Sequence, residues 1–291
     1  MRRILKWTLV MIAALVGAAA LTALVLWLTL PNVAPLARDN PTTTAFIELR
    51  RREAEEAGAP FKLRWTWRPI GHISPLLQRA VVHTEDARFF EHGGVDWDAV
   101  KKTVERDWQE RSLSRGGSTI TQQVAKNLYL SPSRNPVRKV REMMIAWRLE
   151  SALDKERILE IYLNIAEWGP GVFGAEAAAR HWFGRSAADL TAAQAARLAL
   201  ALPNPVKRSP RVASRALDRR AARLVRALRR GGLIDDAAMD ESLRELGEPP
   251  PPRPPPAEAP PPAEAPPPAE APPPADQPSE PDKIDDELPE D

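Results

Sequence analysis

Two adjacent carboxylates, Glu85 and Asp86, are the first candidates for acid–base chemistry in this chain. They follow an apolar segment with helical spacing, and Phe89, Phe90 and His92 come directly after them. A carboxylate held against aromatic rings is desolvated, which raises its pKa toward the range that suits a general base or acid. The same pattern fits a solvated acidic pair at a helix end. These residues alone do not separate the two interpretations.

A second group of polar residues follows a glycine pair further along the chain. Thr119 and Gln122 have the spacing of a capping box, which predicts that a helix begins here. On that helix Gln123, Lys126 and Asn127 share one face, at spacings of three and four residues. A helix N-terminus favours anions, so a face of amides and one lysine suits a sugar and a phosphate. An ordinary amphipathic helix after a glycine loop is the alternative.

Two adjacent cations and a glutamate form a third group. Arg138 and Glu142 are four residues apart, so a surface ion pair worth about 0.3–0.5 kcal/mol is one interpretation. Arg138 and Lys139 also have the arrangement needed to hold a diphosphate, because two neighbouring positive charges offset its negative charge. The residues of this group leave both interpretations open.

The elements that position these side chains are predicted to be almost all helical. Ser74-Pro75 and Asn135-Pro136 each place a capping residue before a proline that suits the first helical position. Apolar residues at helical spacing predict further helices over 96–109, 155–164, 174–183, 191–202 and 213–230. Alternation of apolar and polar residues over 61–68 predicts one short strand. The predicted fold class is therefore mainly α.

Two of these helices carry a marked side-chain pattern. In the helix that begins at Pro136, the apolar stripe is predicted to consist of Val137, Val140, Met144 and Trp147. The helix over 213–230 is rich in arginine, a composition compatible with nucleic acid, an anionic membrane or plain solvent. We interpret it as a solvated face, because nucleic acid is not expected outside the cytoplasm.

The N-terminus has the pattern of a membrane anchor. Arg2, Arg3 and Lys6 precede an unbroken apolar run from Trp7 to Leu30. A helix that crosses the bilayer core needs about 20 apolar residues, and this run provides them. A cleaved signal peptide is the alternative, but its apolar core usually has only about 7–15 residues. The basic residues before the run predict a cytoplasmic N-terminus, with the rest of the chain beyond the membrane.

Composition limits the remaining chemistry. The net charge is +2 and there is no cysteine, which excludes disulfides, cysteine metal ligands and a thiol nucleophile. From Pro249 the sequence is proline-rich, with Pro-Pro-Pro-Ala-Glu-Ala repeats and an acidic end over 282–291. This composition predicts a disordered, extended tail. A spacer or docking arm and a dispensable tail are both compatible with it.

Taken together, the three groups resemble motifs of the peptidoglycan glycosyltransferase family (family 51), whose members polymerise lipid II. Four motifs carry the resemblance, in the family's order: Glu-Asp-x-x-Phe-x-x-His-Gly at 85–93, Gly-Gly-Ser-Thr-Ile-Thr-Gln-Gln at 116–123 followed by Lys126-Asn127, Arg-Lys-x-x-Glu at 138–142, and Ile-Leu-Glu-x-Tyr-Leu-Asn at 158–164. His83-Thr84 departs from the pattern, since small residues are expected before the glutamate.

The resemblance implies a lysozyme-like helical glycosyltransferase domain. The stretch 166–180 is most similar to the monofunctional branch, and no penicillin-binding domain is expected after Leu246. The expected organisation is a cytoplasmic stub and transmembrane anchor at 1–30, a juxtamembrane stalk at 31–60, the glycosyltransferase domain at 61–246 and the tail at 247–291.

The resemblance also implies the chemistry. Glu85 is expected to be the general base for the 4-hydroxyl of an acceptor lipid II, in an inverting transfer that releases undecaprenyl diphosphate. Glu142 is expected to orient cations or a metal on the diphosphate side. The other expected substrate-binding residues are Asp86, Phe89, His92, Ser118, Thr119, Gln122, Gln123, Lys126, Asn127, Arg138 and Lys139. Residues 111–117 are expected to form a mobile loop. Mg²⁺ or another divalent cation is the expected cofactor, with no metal ligands assigned, and no organic cofactor is expected.

Partners and location follow from the same resemblance. The expected partners are lipid II, the growing glycan chain, the membrane and proteins of cell division or elongation. The expected location is the bacterial inner membrane, with the catalytic domain periplasmic. Two alternatives remain at this point: a lysozyme-like lytic enzyme that shortens glycans, and an inactive scaffold that recruits partners through its anchor and tail. Chain growth on lipid II separates the enzyme from both.

Overall fold

A computed structural model describes residues 2–110, 117–133, 135–205, 208–211 and 214–250. The expected loop over 111–117 and the expected tail from 247 therefore lie almost wholly outside the described residues. The described helices are α1 Arg2–Leu28, α2 Ala45–Glu56, α3 Pro75–Glu85, α4 Trp97–Glu110, α5 Ile120–Tyr129, α6 Pro136–Ala152, α7 Lys155–Ile165, α8 Ala175–Phe183, α9 Ala192–Ala201, α10 Arg215–Arg230 and α11 Asp236–Glu245. The described strands are β1 Arg64–Trp65, β2 Glu167–Gly169 and β3 Val172–Phe173. The prediction of a mainly α fold is confirmed.

The predicted helix starts rest on side-chain caps that the structure contains. Ser74 accepts a hydrogen bond from the Leu76 N–H at the start of α3, and Asn135 accepts one from the Val137 N–H at the start of α6. Both halves of the capping box are present at the start of α5. These bonds satisfy backbone donors that have no partner within the helix, so they fix where each helix begins.

The core lies where α5 packs between α6 and α7, and where α3, α9 and α10 pack together. Helix α7 is buried on nearly every side, with Ile158, Ile161 and Tyr162 almost without exposed surface. Helix α9 is rich in buried alanine, which lets α3 and α10 approach it closely. This arrangement brings the C-terminal end of α3, where Glu85 lies, toward α5.

The strand predicted over 61–68 is shorter in the structure. Only Arg64 and Trp65 form β1, which pairs in parallel with β3, and β3 pairs antiparallel with β2. Further along, the Asn164 side chain accepts a hydrogen bond from the Arg68 N–H (2.7 Å) and donates one to the Arg68 carbonyl (2.8 Å). A side chain therefore takes the place of a strand partner here, and the ladder ends.

Helix α2 lies in the segment that the sequence suggested as a stalk. Thr44 caps it, and Ile47 is buried where α2 packs on α5. The remaining positions are mostly charged, so the apolar signal in the sequence is too short to predict a helix. Leu36, nearer the anchor, also belongs to the buried core. The segment before residue 61 is thus part of the packed structure.

The predicted apolar stripe of α6 is wrong. Val137, Val140 and Trp147 are 51%, 48% and 43% exposed, and Met144 is only partly buried. The buried side of this helix instead carries residues that the stripe did not include: Glu142, Ile145, Ala146 and Leu149. Both faces of α6 contain apolar side chains, so periodicity alone did not indicate which one packs inward.

Helix α1 is long and apolar enough to cross a membrane, by length and composition. Its side chains pack on nothing else over most of its length. The chain becomes buried directly after it, at Leu30 and Val33. These features are consistent with an anchor that leads straight into the folded domain.

Candidate active site

Glu85 is the last residue of α3 and is partly buried. The side-chain amide of Gln123 on α5 donates a hydrogen bond of 2.8 Å to its Oε2. The hydroxyl of Tyr162 on α7 in turn donates one of 3.2 Å to Gln123 Oε1. The Glu85 carboxylate on α3 is therefore held by two neutral side chains in series, Gln123 on α5 and Tyr162 on α7.

Burial raises the pKa of Glu85, whereas the Gln123 hydrogen bond and the nearby Lys126 and Arg208 lower it. Because burial is the largest effect, the net direction is upward, as the sequence predicted. The Tyr162 hydroxyl is fully buried, and this burial raises its pKa well above its ordinary value. Tyr162 therefore keeps its proton and remains a donor to Gln123.

The unusual pair before Glu85 does not disturb it. His83 is exposed. The Thr84 hydroxyl donates back to the Ala80 carbonyl at 2.9 Å, a bond within its own helix. Neither side chain is among the charges and hydrogen bonds that shift the pKa of Glu85.

Asp86 has a different task from Glu85. It is buried, and its carboxylate accepts hydrogen bonds from His92 Nε2 at 2.9 Å and from the Ile120 N–H at 2.9 Å. It therefore joins the turn after α3 to the first residue of α5. Phe89 is fully buried under the Lys155 ammonium, which lies 4.5 Å from its ring centroid. Asp86, Phe89 and His92 thus support the shape of the site.

The predicted site residues at the start of α5 also differ in what they contact. Thr119 and Gln122 are buried and occupied by the capping box, and the Thr119 hydroxyl also donates to the Gly94 carbonyl at 2.5 Å. Ser118 is closer to the cations, since it accepts a hydrogen bond of 3.0 Å from Lys139 Nζ. Thr119 and Gln122 therefore position α5.

The predicted cationic group forms around Glu142. This carboxylate is only 3% exposed, and it bonds to Arg138 Nη1 and Lys139 Nζ at 2.5 Å each. Both oxygens are thereby used, one for each cation. The arrangement holds the two cations side by side on α6, which agrees with an orienting role for Glu142.

Lys126 lies between the carboxylate region and the cationic group. Burial lowers its pKa and the charges of Arg138 and Lys139 lower it further, whereas Glu142 and Glu85 raise it. The ring of Phe46 on α2 lies 5.6 Å from the ammonium, a distance at which an aromatic face favours a cation. Lys126 is thus coupled electrostatically to both glutamates.

Two separate cavities are lined by residues of this site. One of about 240 Å³ is lined by Glu85, Lys102 and Ser118, among others. The second, of about 180 Å³, is lined by residues of α5, α7 and α2, most of them polar: Gln123, Lys126, Asn127, Tyr162, Phe46 and Arg50. Glu85 lines the first cavity and its partner Gln123 the second, so the hydrogen-bonded pair lies between them. A larger cavity of about 450 Å³, near Phe61 and Gly171, contains none of the predicted site residues.

The carboxylates here do not offer an open site for Mg²⁺, which prefers oxygen ligands in octahedral geometry. Among the described residues, Asp86, His92 and Asp96 could together contact one ion. Asp86 already accepts two hydrogen bonds, and Asp96 accepts one from Ala99 and lies 3.5 Å from Arg88. Both oxygens of Glu142 bind cations. A resident Mg²⁺ therefore does not fit this arrangement, and no step below depends on one.

Four residues at the site were missed from the sequence. Phe46, Arg50 and Tyr162 line the smaller cavity, and Arg208 lies close enough to affect the charge on Glu85. Tyr162 falls within the motif at 158–164, so its position was available, although its bond to Gln123 was not. Nothing near Phe46 or Arg50 in the sequence indicated that α2 would pack beside α5.

Comparison with known proteins agrees with this geometry. A family model described as transglycosylase matches residues 54–229. A biosynthetic peptidoglycan transglycosylase of Bordetella avium is 48% identical over 197 residues, covering 66% of this chain and 82% of that protein. The protein of the same name from Laribacter hongkongensis is 49% identical over 167 residues, covering 57% and 73%. That of Bordetella pertussis is 47% identical over 208 residues, covering 70% and 86%.

The matched residues extend from α2 to α10 and include Glu85, Gln123, Lys126 and Glu142. They make up more than half of the chain. The family expected from the four motifs is thereby confirmed, and this chain belongs to the transglycosylase family.

Proposed function

We propose that this enzyme polymerises lipid II into β-1,4-linked glycan strands for the cell wall, with release of undecaprenyl diphosphate. The observation that carries the proposal is the pairing of two unlike glutamates. Glu85 is partly buried and held by neutral groups, while Glu142 holds two cations close to Lys126. The relatives' name, biosynthetic peptidoglycan transglycosylase, supports the same substrate class.

In the proposed reaction Glu85 accepts the proton of the acceptor's 4-hydroxyl. The oxygen attacks the anomeric carbon of the donor, the new C1–O4 bond forms, and the bond from C1 to the diphosphate oxygen breaks with inversion. A diphosphate is a good leaving group, so it needs charge compensation more than a proton. Lys126, Arg138 and Lys139 supply that compensation.

The membrane anchor fits substrates that carry lipid tails. We propose that α1 crosses the inner membrane with its N-terminus in the cytoplasm, because Arg2, Arg3 and Lys6 precede the apolar run. The folded domain then lies in the periplasm, where lipid II and the growing chain are bound to the outer leaflet. Proteins of cell division or elongation remain proposed partners.

Polymerisation of lipid II by the purified full chain tests the proposal. We expect glycan chains to lengthen with time and moenomycin to stop the reaction. Shortening of added glycan would indicate a lytic enzyme, and neither activity would indicate a scaffold. The cationic group argues against the lytic alternative, because glycan cleavage releases no diphosphate that it would have to compensate.

The expectation of Mg²⁺ is tested with the same assay. Since Asp86, Asp96 and Glu142 are already engaged with other groups, we expect EDTA to lower the rate far less than removal of the protein cations does. Full loss with EDTA and full recovery with Mg²⁺ would contradict that expectation.

A further inference from the structure

The last turn of α1 is bound by an arginine from α6. Arg148 Nη2 donates to the Trp27 carbonyl at 2.9 Å, and Nη1 donates to the Leu30 carbonyl at 3.3 Å and the Pro31 carbonyl at 3.4 Å. The guanidinium also lies 4.5 Å from the Trp27 ring centroid. Carbonyls at a helix C-terminus lack partners within the helix and favour a cation, so Arg148 caps the anchor.

A second arginine binds the same exit point. Arg141 Nη2 donates to the Thr29 carbonyl at 3.1 Å, and its Nη1 bonds to the Thr29 hydroxyl at 3.2 Å. Arg141 and Arg148 are seven residues apart, about two helical turns, so both project from one face of α6. Together the two arginines bind the segment from Trp27 to Pro31, where the anchor helix ends; we call these contacts the grip.

The diphosphate-binding group lies on an adjoining side of α6, with Arg138 about 60° around the helix from Arg141. At about 100° per residue, Arg141 and Arg148 fall within about 20° of each other, while Glu142 is rotated about 100° or more from both. Glu142 is buried and paired with Arg138 and Lys139, whose side chains are partly exposed, whereas Val137 and Val140 lie on the exposed side of the helix. One helix therefore connects the anchor to the cations.

No glycine or proline interrupts α6 between Arg138 and Arg148, so the connection is stiff. Its length over these ten residues is about 15 Å. The buried residues Leu30 and Val33 already fix the chain after the anchor. Of the carbonyls that the arginines bind, that of Trp27 belongs to α1 and those of Thr29, Leu30 and Pro31 follow it directly. The two arginines therefore tie the end of the anchor to α6.

We propose that Arg148, assisted by Arg141, is a positioning residue that sets the height and tilt of the diphosphate-binding cations relative to the bilayer. The inference rests on the proposed function, because it matters only when the diphosphates are held at a membrane surface by lipid tails. The guanidinium of Arg148 binds the anchor segment, at Trp27, Leu30 and Pro31. Its effect is to place Arg138 and Lys139 at the level of those diphosphates.

The test compares two substrates on the full chain in lipid nanodiscs. One is lipid II with its full lipid tail, and the other is a water-soluble analogue with a short tail. For Arg148→Ala we expect kcat/KM on the bilayer substrate to fall about 10-fold, since a small misplacement of reacting groups is costly. On the soluble analogue we expect a change of less than about two-fold, with an unchanged Tm. Arg226→Ala on α10 is the matched control, and it should alter neither value.

Equal losses on both substrates would show that Arg148 supports the domain or the site itself, and no loss on either would show that the grip is dispensable. Both outcomes overturn the inference. Trp27→Ala, which removes only the ring face, should give a smaller loss with the same substrate dependence.

A distance measurement tests the grip independently of activity. The chain contains no cysteine, so Ala14→Cys and Ser151→Cys introduce a single pair of spin labels on exposed positions of α1 and α6. We expect one narrow distance distribution that broadens in Arg148→Ala. A distribution of unchanged width contradicts the inference even if the variant loses activity. Should the unaltered chain polymerise neither substrate, the proposed function fails while this measurement still decides on the grip.

Discussion

The two glutamates of the site share a residue type but differ in environment. Glu85 has one amide donor and is partly buried, so its pKa is raised. Glu142 is almost fully buried but bonded to a cation through each oxygen. The raised pKa of Glu85 favours proton acceptance, whereas both oxygens of Glu142 are engaged with cations. Environment rather than residue type thus separates the two, and it supports the base chemistry that we propose for Glu85 and the charge organisation that we propose for Glu142.

The largest effect is expected from Glu85→Gln, which removes the base and keeps the shape. We expect kcat to fall on the order of 10²–10⁴-fold. Folding favours the protonated form of Glu85 because its pKa is raised in the folded protein, so the ionised carboxylate lowers the free energy of unfolding at neutral pH. The variant should therefore have an equal or higher Tm. Retention of full polymerisation activity would sink the assignment of Glu85 as base.

Asp86→Asn is the matched control for that prediction. Asp86 accepts hydrogen bonds from His92 and from the Ile120 N–H, so its replacement should lower the Tm together with the activity. If both variants lose activity without any change in Tm, the distinction drawn here between the two neighbouring carboxylates is wrong.

The second effect concerns the other glutamate. Replacing Arg138 and Lys139 together by alanine removes both ion-pair partners of the buried Glu142. We therefore expect a loss of about 1–3 kcal/mol in the free energy of unfolding. Polymerisation should fall on the order of 10²–10³-fold, because charge compensation of the leaving diphosphate is lost. Adding Glu142→Gln should restore stability but not activity. Activity that returned with stability would mean that the cations serve only the fold.

A third, smaller effect should come from Gln123→Leu. The lost hydrogen bond lowers the pKa of Glu85 in the unaltered protein, so the variant's Glu85 should have a still higher pKa. Since the base must be ionised, the acidic limb of kcat/KM against pH should move to higher pH, with a plateau lowered about 10-fold or less. Gln122→Leu, which breaks the capping box, should lower the Tm and leave that limb in place. If the acidic limb of kcat/KM does not move in Gln123→Leu, a group other than Glu85 sets that limb.

The smallest effect is expected from Phe46→Leu. The ring favours the charged form of Lys126 by about 0.5–1 kcal/mol, so its loss should weaken substrate binding by a few-fold, seen as a higher KM. Phe46→Tyr keeps the aromatic face and should behave as the unaltered enzyme does. Equal KM values for the leucine and tyrosine variants would show that Lys126 does not depend on the ring.

The parts predictable from sequence are those governed by local chemistry. The caps at Ser74, Thr119 and Asn135 form bonds within a few residues, and the helices begin where these residues predict. The raised pKa of Glu85 was predicted in direction, although the hydrogen bond from Gln123 comes from another helix. The four motifs placed the enzyme family correctly because their order and residue types are specific.

The parts that were not predictable depend on which elements pack together. Nothing in the sequence around Phe46 reports that α2 lies beside Lys126, eighty residues later. The stripe of Val137, Val140 and Trp147 failed because the inner face of α6 buries an ion-paired glutamate, which a periodicity argument counts as polar. The ion pairs of Glu142 allow the face of α6 that carries this charged residue to pack inward, although periodicity predicts that the apolar stripe does so.

The hydrogen bonds around Glu85 also give the site a fixed polarity. Tyr162 donates to Gln123 Oε1, which forces the amide nitrogen of Gln123 toward Glu85 Oε2. The Gln123 N–H occupies one lone-pair site of Oε2. Among the described residues Oε1 of Glu85 accepts no such bond, and Glu85 lines the larger of the two cavities at the site. In the reaction proposed for Glu85, Oε1 is therefore the more open of the two oxygens, and Tyr162 fixes this difference through the orientation of the Gln123 amide.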